Sequence, residues 1–363
     1  MIKLFVYEYL SGGGIDPEVA GIGSLADLSA LIVEGRAMRD ALTADLCELD
    51  GVQVTYASSR FERSPAMRAA HATTVPVQSV ARPGEILSAF VARIAHEHDY
   101  TCVIAPECDG LLLQLHDVVG DVCWLGCRRD AIRIASSKRA TAACLAAHGI
   151  AVTPALPPGI CVSSAAADDA TRWVVKPDDG AGGLDTFVYE RLDDACAEYT
   201  AREAAGRDPV LQAWVEGEPL SLSLIAGYGQ AELVSINRQR IGIPDAAGSS
   251  RPAHVVEFSG VDVDQISRDS DQGRVLETLT QDIVAALPGL RGFVGVDLVW
   301  HPRRGPVVIE VNPRLTAAYV ELSARLGRNL ASSLLTAHGV SGFGARPHVP
   351  KPSGDCLSGG ALP

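Results

Sequence analysis

The chain has 363 residues, enough for about two domains at ~150 residues each. Hydrophobic residues make up 47% and charged residues 21%, which excludes a disordered chain and is ordinary for a globular one. Lys+Arg 31 against Asp+Glu 44 gives a net charge of −13, which argues against a general nucleic-acid or anionic-membrane binder and still permits a local basic pocket.

The opening MIKLFVYEYL is too short in its apolar stretch, and meets Glu8 too soon, to read as a signal peptide. Lys3–Tyr9 reads as a strand ending in Ser11-Gly12-Gly13-Gly14, which is not GxGxxG. It is either a turn letting a ligand approach backbone amides or merely a flexible turn. Leu28, Leu31, Ile32, Met38, Leu42 and Leu46 follow near helical spacing, then a strand at Val52–Ala57, a helix at Ile86–His96 and a buried-type strand from Cys102 to Pro106. Alternating strands and helices imply a parallel sheet, whose loops carry Glu8, Gly12–Gly14, Glu107 and Asp109 at the ends where ligands usually bind.

Arg129–His148 reads as one helix ended by Gly149, followed by a Pro/Ala-rich connector to about Asp169. Its prolines stop the longest uncharged run, Thr141–Ala167, from being a membrane span. Strands are expected at Arg172–Asp179, Leu184–Tyr189, Val210–Val215, Leu220–Ala226, Leu233–Arg240, Gly292–Trp300 and Val307–Val311. Helices are expected at about Gln272–Ala286 and Val320–Leu335, and an irregular tail at Ser341–Pro363. The nine scattered cysteines have no zinc spacing and read as buried thiols of a reducing cytoplasm.

Lysine occurs only at 3, 138, 176 and 351; the other basic residues are arginines. Lys176 sits on a strand beside Gly180, Gly182 and Gly183, where glycines permit amide–phosphate hydrogen bonds and a compact ammonium would meet the α- and β-phosphates of a nucleotide. The bland alternative is a hairpin with an incidental charge. Asp297, Glu310 and Asn312, on two strands, make an all-oxygen set suited to Mg²⁺, and Arg314 would neutralise a phosphoryl group. Satisfied sheet-edge polar residues are the alternative. In Gln212–Glu218 a strand meets a glycine turn between acids, which could pair with an adenine edge and hold ribose hydroxyls, although strand–turn–acid is a common pattern.

Lys138, Lys176 with its glycine loop, Gln212–Glu218, Asp297 and Glu310-Val311-Asn312-Pro313-Arg314 resemble, in order and spacing, the motifs of the ATP-grasp superfamily over about 129–340. The resemblance implies an α/β pre-ATP-grasp domain at 1–128, an α+β small lobe or lid at 129–208, a large lobe at 209–340 and a tail at 341–363. Lys138 and Lys176 would then contact ATP phosphates; Gln212, Trp214 and Val215 would line adenine; Glu218 would hold ribose. Asp297, Glu310 and Asn312 would ligate Mg²⁺ or Mn²⁺. Asp297 replaces the Glu of many members, which leaves open one or two metals.

The implied reaction is carboxylate–amine ligation through an acyl phosphate, in the cytoplasm, on small molecules and without nucleic acid or membrane. Homodimers are common in the superfamily. Tyr7–Gly14, Pro106–Gly110, Ser235–Arg240 and Asn312–Thr316 are further similar to the tyramine–glutamate ligase group of methanofuran and methylofuran biosynthesis. That similarity puts Arg238 and Arg240, two apart on one strand face, on the glutamate carboxylates, with Lys176, Arg240 and Arg314 catalytic. Glu8, Gly12 and Gly13 would contact the amine. Alternatives are another amino-acid ligase, such as the lysine-joining enzyme of pyrrolysine synthesis, or an ATP sensor without turnover.

Overall fold

The computed structural model describes residues 1–15, 22–62, 72–153, 155–156, 171–180, 182–245 and 253–344. Most of the Pro/Ala-rich connector and most of the expected irregular tail lie outside the described residues. The first sheet is parallel, in the order β3-β2-β1-β4, from β1 (Ile2–Glu8), β2 (Val52–Ala57), β3 (Val77–Ser79) and β4 (Tyr100–Ile104). Its helices are α1 (Ile22–Cys47), α2 (Leu87–Ala95) and α3 (Leu111–Val119). Leu4, Phe5, Val6 and Tyr7 of β1 are all buried, as expected of a strand covered on both faces.

The helix expected over 129–148 is two: α4 (Arg129–Ala135) and α5 (Lys138–Ala147). Ser137 breaks it, leaving helical geometry so that its hydroxyl accepts from the Ala140 amide and caps α5. The next sheet, β10-β6-β5-β7, is antiparallel. It comprises β5 (Trp173–Pro177), β6 (Phe187–Tyr189), β7 (Pro209–Ala213) and β10 (His254–Val255), with α6 (Leu192–Ala204) against it. The strand expected from Leu184 begins at Phe187, because Asp185 has a positive φ of 56°.

The largest sheet is antiparallel, β11-β9-β8-β12-β13. It contains β8 (Glu218–Gly227), β9 (Gln230–Gly242), β11 (Glu257–Asp262), β12 (Gly292–His301) and β13 (Gly305–Asn312). One face carries Leu220, Leu222, Leu224, Ile236, Val294 and Val296, packed in the same core as Leu276, Leu279 and Ile283 of α7 (Asp271–Ala286). The helix expected over 320–335 is also two, α8 (Tyr319–Leu326) and α9 (Leu330–Ala337), since Gly327 turns left-handed at φ 63° and Asn329 caps α9.

The cores do not follow the expected lobe boundaries. Ala131, Ile132, Ala135 and Leu145 of α4 and α5 pack in the core of the large sheet, which also takes in Phe5, Tyr7 and Phe90. By packing, therefore, 129–147 sides with the large lobe. The small lobe has its own core of Trp173, Val175, Tyr189, Tyr199 and Leu211. One segment joins the two antiparallel sheets: β10 pairs with β6, and a few residues on, β11 pairs with β9.

Candidate functional site

Between the two antiparallel sheets lies a cavity of about 380 Å³. On its small-lobe side, strand alternation places Val174 and Lys176 toward the cavity, while Trp173 and Val175 enter the small core. Gln212, opposite Val174 on β7, also faces in, and its amide donates to the Thr153 carbonyl at 2.7 Å. Gly180, Gly182 and Gly183 line the rim. Gly182 and Gly183 have φ of +64° and +72°, conformations that favour glycine. Asp178 Oδ1 accepts from the Arg139 amide, and its carbonyl from that of Lys138, fastening the glycine loop to the start of α5.

The floor belongs to the large sheet. Asp297 and Glu310 are direct cross-strand partners on β12 and β13, and Asn312 lies two residues along on the same face. Opposed like charges disfavour a sheet unless something compensates them. Lys138 does so in part: its Nζ is 3.4 Å from Glu310 Oε2 and also donates to the Gly180 carbonyl. Asp297 accepts from Gln239 at 3.0 Å and from Asn312 at 3.2 Å. Enclosure, followed by the Glu310 charge, pushes the Asp297 carboxyl well up. Enclosure acts the same way on Glu310, but Lys138 and Lys176 outweigh it and hold Glu310 below the usual range. Lys176 is pushed down to about 8, by burial first and by Lys138 second.

Arg314 follows β13 and lines the same cavity. Its guanidinium bonds Glu107, beyond β4, at 3.0 Å; burial opposes its charge, but Glu107 wins and raises its pKa. At the other end, Trp214 and Val215 line the wall with Ile241, Ile243, Val256 and Phe258, an apolar slot able to take a flat ring. The Trp214 amide donates to the Arg172 carbonyl, and the Arg172 guanidinium lies 5.1 Å from the Trp214 ring centre. Trp214 Nε1 and Thr153 Oγ1, both of cavity residues, are buried and, among the described residues, without a hydrogen-bond partner.

The structure thus gathers Lys138, Lys176, the three glycines, Gln212, Trp214, Val215, Asp297, Glu310, Asn312 and Arg314 around one cavity. It does not bring Glu218, Arg238 and Arg240 there. Arg238 and Arg240 do share a face, but the outer one: Arg238 pairs with Glu218 at 2.6 Å and Arg240 with Asp262. The inner face of β9 carries Gln239 and Ile241, and Ile243, just past the strand, lines the same cavity.

Glu8, Gly12 and Gly13 also lie off the cavity lining. The buried Glu8 carboxylate accepts from the Leu10 and Ser11 amides at 3.1 and 2.7 Å, closing a tight turn, and Gly12 packs against the Tyr7 ring. Sequence reasoning missed Gln239, Thr153 and Glu34 as cavity residues, and the pairing of Glu107 with Arg314. Asp297, Glu310 and Asn312 offer two carboxylates and a carboxamide; among the described residues no group of three or more His, Cys, Asp or Glu is placed to hold a metal ion. That oxygen donor set, its opposed carboxylates only partly offset by Lys138, fits a hard dication completed by phosphate oxygens and water.

The family described as ATP-grasp domain matches residues 135–318, and that described as pre ATP-grasp 3 domain matches 53–132. The chain is 29% identical over 222 residues to a tyramine–L-glutamate ligase of Methanocaldococcus fervens, covering 60% of this chain and 59% of that relative's length. A protein from Archaeoglobus fulgidus placed in the ATP-grasp superfamily is similar in structure, with TM-score 0.61 and 24% identity over 96% of this chain and 90% of that one. D-alanine–D-alanine ligase from Bacillus anthracis, solved with ATP, has TM-score 0.56 and 16% identity over 93% and 96% of the two chains. Two antiparallel sheets facing each other across a lysine-lined cavity, with a family match over 135–318, identify the chain as a member of the ATP-grasp family.

Proposed function

We propose that this protein is an ATP-dependent ligase that joins a carboxylate to an amine through an acyl phosphate. The observation that carries the reading is the cavity floor: two opposed carboxylates, two lysines and an arginine converge on one space from four separate segments. Trp214 and Val215 would line the adenine, with Gln212 fixing the Thr153 carbonyl beside it. Lys138, Lys176 and the glycine loop would hold the phosphates. Asp297, Glu310 and Asn312 would hold Mg²⁺ or Mn²⁺, which when bound neutralises phosphate charge.

Catalysis is then positioning and charge neutralisation. A substrate carboxylate oxygen attacks the γ-phosphorus and ADP leaves. Arg314 neutralises the transferring group, and an amine displaces phosphate from the acyl carbon. The similarity to a tyramine–L-glutamate ligase supports L-glutamate as the acid, with tyramine or tyrosine as the amine, in making a methanofuran- or methylofuran-type cofactor. With Arg238 and Arg240 engaged on the outer face, Arg314 is the arginine that, among the described residues, lines the cavity and would serve the acid.

The test is ADP release with ATP, Mg²⁺ and L-glutamate, offering tyramine and tyrosine separately, with the product weighed by mass spectrometry. A γ-glutamyl amide supports the reading, and Glu310→Gln should lower its formation by at least about 100-fold. ATP binding without turnover on any acid–amine pair would instead indicate a sensor.

A further inference from the structure

Among the described residues, three carboxylates line the cavity. Asp297 and Glu310 oppose each other on the floor; the third, Glu34, comes from a separate element, α1. It occupies the stripe of Met38, Leu42 and Leu46, spaced four residues apart, and these three are buried in the core shared with Leu315 and Ala318. One turn before that core begins, the stripe presents a half-buried carboxylate to the cavity. Among the described residues Glu34 makes no hydrogen bond or ion pair, and a carboxylate out of bulk water without a partner is costly.

Its position is fixed. Gly35 lets α1 lie so close to β1 that a Cβ there would meet the Glu8 carboxyl carbon at 2.6 Å. One helix end further on, Asp45 accepts from the Tyr319 hydroxyl at 2.7 Å, tying α1 to α8. Arg314 lines the same cavity as Glu34 and its charge acts on the Glu34 carboxyl, with Thr316, Ala317 and Ala318 alongside. A negative group on one wall and a positive one near it suit two reactants of opposite charge: an acyl phosphate on Arg314 and an ammonium on Glu34.

We propose that Glu34 is the anchor for the acceptor, which is a primary amine entering as its ammonium ion, and that Glu34 takes the proton the nitrogen must lose before attack. The inference rests on the ligase reading above. The freed lone pair forms the C–N bond to the acyl carbon. The C–O bond to phosphate breaks and its electron pair leaves with phosphate. The second nitrogen proton departs as hydrogen phosphate, and Glu34 returns the first to solvent.

Hydroxylamine, already neutral near pH 7, separates the two readings. With ATP, Mg²⁺ and L-glutamate it traps the acyl phosphate as a hydroxamate, so a wild-type protein that gives neither hydroxamate nor tyramine amide overturns the ligase reading and this inference with it. Where the wild type gives both, Glu34→Gln should lower the ratio of amide to hydroxamate at least about tenfold, mainly through the KM for tyramine. Glu34→Asp should recover part of that loss. The hydroxamate reaction also reports that each variant is folded. An equal fall in both products, or an unaltered ratio, overturns Glu34 alone and leaves the ligase reading standing. Hydroxamate without amide from tyramine, tyrosine or any protein amino acid overturns it as well.

Discussion

Lys176 illustrates how a site residue costs stability. It stands on the cavity side of β5 at 6% exposure, with its pKa lowered to about 8 from 10.5. Between those values the unfolded chain binds the proton that the folded chain has lost, so stability rises with pH across that window. Below pH 8 the buried ammonium costs up to about 3 kcal/mol at roughly 1.4 kcal/mol per pH unit. Without nucleotide, Lys176→Met should therefore unfold at higher urea concentration than the native protein near pH 7. The gap should close as pH rises from about 8 to 10.5, and a gap that widens with pH would contradict the burial argument. Saturating Mg²⁺ and ATP should reverse the order, because the ammonium then has phosphate to meet.

Gly217 shows the same economy in an element. It joins β7 to β8, where the small-lobe sheet meets the large one, at φ +148°. A Cβ there would lie 2.3 Å from the Trp300 carbonyl oxygen, which is rigid backbone. Gly217→Ala should cost about 2 kcal/mol or more in a denaturant titration, through strain and overpacking. A loss within about 0.5 kcal/mol, the ordinary range for a surface change, would mean the turn can shift. The strands and their alternation were legible here: Val52–Ala57 and the inward Lys176 follow from residue type and period two. The breaks at Ser137 and Gly327 were less so, because the apolar spacing runs on across them and the cap or left-handed turn decides.

At the scale of the molecule, the parallel-sheet region and the large lobe share their cores, while the small lobe keeps a separate one. The Arg314–Glu107 pair ties the first two together across 207 positions of sequence, with both side chains under 15% exposed. Removing one member of such a pair strands the other charge, at about 3–5 kcal/mol. Glu107→Gln should lose about that much in urea unfolding, and adding Arg314→Met should recover part of it by removing the stranded cation. If the double variant is no better than the single, the loss comes from packing and not from charge. No described helix is long and apolar enough to cross a membrane.

The sequence by itself determined the local chemistry. Scarce lysines, a glycine loop and alternating carboxylates on apolar strands singled out the residues that the structure gathers around one cavity, because strand periodicity and residue type act over a few positions. It did not determine which side of β9 faces inward, since Arg238 and Arg240 share a face either way and the pairing with Glu218 and Asp262 settles it. Nor did it place Glu34 against a site whose other residues begin more than a hundred positions later, or Glu107 against Arg314, 207 positions away. Such contacts depend on how α1 and β4 dock on the large sheet, and docking is governed by shared cores that no local pattern encodes.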